Sequence, residues 1–219
     1  MADWAERAAQ AQERYEDGAT RLPQGPDERQ RQLTRMGNAA WAAGLSLLML
    51  DRRGEADDWL LRAAETYRRS WPDAPAGSWG RPIGAMKARL IAGDLDGARA
   101  DARWAIEAGA GESESPIGRY AAALAELVLG EDAAAAALVP TFADAESIPP
   151  AVTRSLGALA ANDASAYEVA VRALVLDFEA REEFLEDVPV ADTVLALQAL
   201  AVERDISVPL QSSVLPSKS

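Results

Sequence analysis

Apolar residues along this chain recur at intervals of three and four, and the alternation of a half-buried strand is almost absent before the last dozen residues. The pattern predicts helices nearly throughout. A first helix covers residues 4–17 and closes at Gly18, and residues 22–25 (LPQG) make a turn. Pro26 and Asp27 open the next helix, with Asp27 as its N-cap, and it runs to Leu50. Its apolar face becomes continuous over residues 39–50, as in a helix buried on several sides. Residues 51–54 (DRRG) form a short turn. The return helix, 56–70, carries Trp59, Leu60, Ala63, Ala64 and Tyr67 at helical spacing. Prolines and glycines in residues 71–80 (WPDAPAGSWG) forbid continuous helix, and its two tryptophans are expected to pack over the edge of the core.

A repeat then emerges. Pro82, Pro116 and Pro150 stand 34 residues apart in each step, each at the start of an apolar helical segment, where proline fits sterically. The triplets Pro82-Ile83-Gly84 and Pro116-Ile117-Gly118 match. Each segment ends in a comparable turn: Ala92-Gly93-Asp94, Leu129-Gly130-Glu131 and Ala161-Asn162-Asp163. Glycine or asparagine suits a left-handed cap, and the acid after it suits the positive end of the following helix. The economical reading is a single domain over residues 1–205, with hairpins at about 28–70, 81–109, 116–144 and 150–184 and a capping helix at 190–204. An acidic turn, Leu185-Glu186-Asp187, precedes that cap. The tail, 206–219, is expected to pack through Val208, Leu210 and Leu215.

A 34-residue period with a Gly-Asp turn between paired helices resembles the tetratricopeptide repeat (TPR). Residues 81–110 match best: Gly93 and Asp94 look like the inter-helix turn, and Ala98 and Ala105 fall where that family places small residues. Residues 38–71 follow, with Gly44 and Ala56 at the small positions. The likeness covers about residues 38–179 and fades where Pro140 interrupts a second helix. It implies an all-α fold of antiparallel helical hairpins, stacked as a TPR-like right-handed superhelix or as a compact α-α bundle.

Composition narrows the chemistry. Without cysteine there is no disulfide or thiolate, and without histidine the commonest general base and metal ligand is missing. A net charge of −13 argues against a nucleic-acid-binding face. Lysine occurs only at Lys87 and Lys218, so arginine supplies nearly all the positive charge. The first 17 residues are charged from the third onward, and the most apolar stretch, 39–50, falls well short of the roughly 20 residues a membrane span needs. A cytoplasmic location without membrane contact is expected. Asp94-Leu95-Asp96-Gly97 fails as a calcium loop, because Arg103 falls where the twelfth-position acid is required. The glycines of residues 77–80 and 109–111 fit no phosphate or dinucleotide loop and read as linkers. Glu179, Glu182, Glu183, Glu186 and Asp187 read as a solvated helix face. No cofactor and no catalysis are expected.

In stacked helical hairpins the first helix of each pair lines the concave face. The family resemblance places Asn38, Trp41, Lys87 and Tyr120 at groove-facing positions, with Arg119 and Arg154 nearby in equivalent helices. Such a groove would hold a peptide or partner protein through arginine forks and aromatic contacts. The same residues also suit a plainer arrangement, with Trp41 and Tyr120 in the core and the arginines paired to nearby acids. Two further expectations follow from charge: an acidic exterior engaging a basic partner, in the manner of an immunity or antitoxin-like protein, and, more distantly, a carboxylate-based enzyme.

Overall fold

The computed structural model describes residues 3–217. Among these residues ten α-helices follow one another: α1 (Trp4–Thr20), α2 (Pro26–Met49), α3 (Arg53–Ser70), α4 (Gly80–Ala92), α5 (Leu95–Glu107), α6 (Pro116–Leu129), α7 (Asp132–Leu138), α8 (Pro150–Ala160), α9 (Ala164–Glu179) and α10 (Asp192–Val202). Short 3-10 turns at Val139–Thr141 and Leu185–Asp187 complete the inventory, and no strand occurs among the described residues. The fold class is therefore all-α. Each helix from α2 to α9 packs on its predecessor in the chain, and α10 crosses back to lie against α4, α8 and α9.

Local chemistry sets most boundaries. Gly93 and Gly130 take left-handed conformations with φ of 76° and 80°, and close α4 and α6 as C-caps. Asn162 adopts the same region at φ 49° between α8 and α9. After the Gly93 and Asn162 turns, Asp94 accepts a hydrogen bond from Gly97 N and Asp163 one from Ala166 N, each at 3.0 Å, and at the start of α6 Ser115 accepts from Gly118 N at 3.1 Å. Each cap satisfies one of the free amides of a first turn and stabilises its helix by about 1 kcal/mol.

Several expected boundaries are corrected. Helix α1 runs through Gly18 to Thr20, because Gly18 is a packing contact: a Cβ there would lie 2.8 Å from Met36 Cγ. Gly25 is the N-cap of α2, with Pro26 in the first position, and Asp27 instead pairs with Arg31 one turn on. Helix α3 begins at Arg53, three residues early, and α4 begins at Gly80, before Pro82. The largest difference is α9, which stops at Glu179 and not at residue 184; α10 spans Asp192–Val202 and not 190–204. Most of the acidic cluster thus lies on an irregular crossing and not on a helix face. Pro140 does end α7 early, in a 3-10 turn.

A continuous apolar core runs from α1 to the tail. Helix α2 is buried almost all round from Met36 to Leu48. Its Gly44 admits α3 so closely that an added Cβ would lie 2.7 Å from Leu60 Cγ and 3.2 Å from Ala56 O. Trp71, Trp79 and Trp104 form one aromatic group, with centroids 5.6 Å apart for Trp71 and Trp79 and 5.5 Å for Trp71 and Trp104, joining the loop before α4 to α5. The tail packs through Ile206, Val208, Leu210, Val214 and Leu215; the part of it at residues 218–219, including Lys218, lies outside the described residues.

Candidate functional site

The first helices of the successive pairs, α2, α4, α6 and α8, carry the six positions expected to line a groove, and the structure divides them. Trp41 is buried at 3% exposure, and Lys87 Nζ sits over its ring at 5.6 Å from the centroid. Lys87 in turn pairs with Asp192 Oδ2 at 2.5 Å and donates to Thr193 Oγ1 at 2.9 Å, both in the first turn of α10. Asn38 is half-buried and accepts a hydrogen bond from Tyr67 OH at 2.9 Å. Tyr120 is buried, edge-on to Phe142. Arg119 donates to the backbone carbonyls of Ser113 and Thr141 at 3.1 and 3.0 Å, while Arg154 is exposed. Trp41 and Lys87 are thus brought together; Arg119 and Arg154 do not join them.

The chain itself fills this face. Helix α10 lies on α4 and α8, and the crossing that leads into it runs past α1 and α2. What remains between Trp41, Lys87, Phe184 and Asp192 is a cleft of about 230 Å³. The crossing is held from α1: Arg7 donates to Asp187 O, and Arg14 pairs with Glu186 at 2.6 Å. Glu186 and Asp187 both have left-handed backbones, at φ 58° and 57°. Burial pushes the phenols of Tyr67, Tyr120 and Tyr167 well above the usual tyrosine range, with Asp192 adding to the effect at Tyr67 and Tyr120.

Two ionic features were not singled out by the sequence. Asp101 on α5, 1% exposed, accepts from Arg68 of α3 and Arg89 of α4, each at 2.6 Å, tying three helices together. Arg81, 7% exposed, reaches Thr34 and Gln30 of α2, and burial lowers its pKa. Their signal was weak in the sequence, since an arginine or aspartate on an amphipathic helix ordinarily faces water.

Two larger depressions are open. An acidic trough of about 1020 Å³ lies between α1 and the crossing, lined by Asp3, Glu6, Glu13, Asp17, Glu186 and Asp187 along with Arg7 and Arg14. An apolar groove of about 650 Å³ lies where the ends of α2 and α4 meet α10 and the tail. Leu48, Leu90, Ile91, Leu95, Leu195 and Val202 supply its aliphatic surface, with Asp51 and Glu203 also on its lining. Val202 is 58% exposed and adjoins this apolar surface; among the described residues Val169, Leu176 and Leu185 are the other large hydrophobic side chains left exposed. Among the described residues no group of three or more acidic side chains is placed to hold a metal ion, and no helix is long and apolar enough to cross a membrane.

No family model, curated protein or solved structure matches this chain.

Proposed function

We propose that this protein is a non-catalytic interaction module of the TPR-like kind, and that it engages a protein partner along the apolar groove between α2, α4 and α10. The observation that carries this reading is the groove itself, about 650 Å³ and lined by aliphatic side chains with Val202 standing 58% exposed. Covering a side chain of this size is worth about 1.5–3 kcal/mol, so a partner that seats an aliphatic anchor here gains affinity without any rearrangement of the helices. The net charge of −13 speeds the approach of a basic partner. The inner face contributes differently: Trp41, Lys87 and Tyr120 are committed to internal packing and Arg119 to backbone carbonyls, so of the six groove positions Arg154 is the exposed one left for a second contact.

The test compares partner capture by the wild type, by Val202→Glu and by Arg119→Glu/Arg154→Glu, after circular dichroism has shown all three equally helical. A partner lost with Val202→Glu and kept with the arginine variant supports the groove. A partner kept with Val202→Glu and lost with the arginine variant moves the interface to the α6–α8 side and sinks this assignment.

A further inference from the structure

Beyond α10 the chain turns back at Asp205, whose φ is 57°, and the described residues that follow, to 217, form neither helix nor strand. Ile206, Val208 and Leu210 are buried, while Ser207, Pro209 and Gln211 between them are exposed. That alternation is the signature of an extended segment laid along a surface.

One side chain reads the backbone of this segment. Gln198 Nε2 donates to Val208 O at 2.5 Å, and Gln198 Oε1 accepts from Val208 N at 3.4 Å. A primary amide offers one donor side and one acceptor side, as a peptide group does, so it pairs with both polar groups of an extended residue whatever its side chain. The amide is itself positioned: Tyr167 OH, from a fully buried tyrosine on α9, donates to Gln198 Oε1 at 3.0 Å. Gln198 is also the one polar residue between Val194 and Val202 of α10. Further along, Ala191 N donates to Val214 O at 2.8 Å, and Ser212 Oγ donates to Glu179 Oε1 at 2.5 Å. Among the described residues no ion pair holds this segment. It is seated as a bound peptide is seated, by backbone pairing and alternate apolar side chains.

We propose that the surface of α9 and α10 around Gln198 is a receptor for an extended peptide with aliphatic side chains at every second position, and that the C-terminal tail is its tethered, displaceable occupant. The proposal rests on the reading of the chain as an interaction module and adds a surface next to the Val202 anchor, since Gln198 and Val208 also line that groove. A tether keeps the tail at an effective concentration of the order of millimolar, so a partner segment must outcompete it, and loosening the tail raises the affinity for that segment. Val208 and Pro209 also wall the apolar groove, so displacement of the tail widens the surface available to the same partner.

The probe is a fluorescein-labelled peptide of sequence ISVPLQSSVLP, that of residues 206–216, titrated by fluorescence anisotropy against the full chain. The wild type is compared with Val208→Asp/Leu210→Asp, which releases the tail, and with the same variant carrying Gln198→Ala. The released-tail variant is expected to bind the peptide on the order of a hundredfold tighter than the wild type. Gln198→Ala is expected to reverse about tenfold of that gain, the effect of a lost charge-neutral hydrogen-bond pair. Hydrogen exchange on the wild type is the independent reading: the amides of Ile206, Val208 and Val214 should exchange well before those of α10. A released-tail variant that stays helical and ignores the peptide overturns the proposal, as does one that fails to fold, or tail amides that exchange only with the core. Any of these failures leaves the Val202→Glu test standing, because that anchor belongs to α10 and not to the tail.

Discussion

Lys87 Nζ lies 2.5 Å from Asp192 Oδ2, a contact that fastens α4 to the first turn of α10 across 105 residues of chain. Both side chains are largely shielded, at 11% and 20% exposure, so the pair is poorly screened by water. Asp192 also suits the positive end of α10, and the lysine head completes its shell with Thr193 and the face of Trp41. This joint closes the inner face of the helical stack.

Removing one partner should therefore cost more than removing both. Asp192→Ala leaves a shielded ammonium without a counter-ion and is expected to destabilise the fold by about 3 kcal/mol. Lys87→Met combined with Asp192→Ala should recover more than half of that loss, since a methionine fills the lysine stem's space beside Trp41 without a charge. Urea unfolding midpoints of the two single variants and the double variant measure the coupling. Equal loss in Asp192→Ala and in the double variant would show that the pair contributes nothing beyond its shape.

Asp101 makes a comparable case on the other side of α4. Its carboxylate takes Arg68 and Arg89 at 2.6 Å each while being 1% exposed, and Arg68 also stacks over Trp104 at 5.0 Å. Asp101→Asn preserves the shape but leaves Arg89 only Asp94 as a counter-ion, so a loss of about 2 kcal/mol is expected. Arg68→Ala should cost less, because Arg68 is 48% exposed and its charge relaxes into water. Thermal denaturation ranks the two, and a larger loss from Arg68→Ala would contradict this assignment.

The turns were readable from sequence because they are local. Gly93, Gly130 and Asn162 each take the left-handed conformation at a helix end, and Asp94 and Asp163 cap amides three residues on, so no distant contact decides these turns. The end of α9 was not readable. Residues 180–184 (AREEF) favour helix, but the chain leaves it at Glu179 and the crossing that follows meets Arg7 and Arg14 of α1 at Asp187 and Glu186, contacts between positions roughly 170 to 180 apart in sequence. The family resemblance placed Trp41, Lys87 and Tyr120 at groove-facing positions without telling what fills the groove. The clue lay in α10, where Gln198 alone interrupts an apolar run from Val194 to Val202, the mark of a helix that is covered on several sides. Val202, at the end of that run, is the side chain the covering does not reach.

Tyr67 is gripped between two glycines. A Cβ added to Gly37 of α2 would lie 2.7 Å from one edge of the ring, at Cε1, and a Cβ on Gly84 of α4 would lie 2.8 Å from the other, at Cε2. The ring cannot move away from one without approaching the other. Overpacking costs about 1–3 kcal/mol, and the better helix propensity of alanine returns about 1 kcal/mol, so Gly37→Ala and Gly84→Ala are each expected to destabilise by up to about 2 kcal/mol. Gly54, in the first turn of α3, has nothing within 4 Å, and Gly54→Ala should be neutral or stabilise by up to about 1 kcal/mol. Chemical denaturation of the three variants checks the contrast, and equal effects at all three sites would refute the ring contact as its cause.

Alkali should unfold the protein through its buried phenols. Burial raises Tyr67, Tyr120 and Tyr167 above the ordinary value of about 10, while the unfolded chain titrates near that value. Above about pH 10 the unfolded state therefore binds fewer protons than the native state, and stability falls as pH rises, by up to about 1.4 kcal/mol per pH unit for each such group. Below about pH 9 the phenols are protonated in both states, so this contribution is fully present and independent of pH. Tyr67→Phe should flatten the alkaline slope while costing about 1 kcal/mol at neutral pH, where the hydrogen bond to Asn38 is lost. The measurement is tyrosinate absorbance recorded with helical ellipticity during an alkaline titration, and the phenolate signal of these three residues should rise only as the helices melt. Full ionisation near pH 10 with ellipticity intact would show that the rings are wetted in the native state, and would reopen the inner face as an accessible cleft.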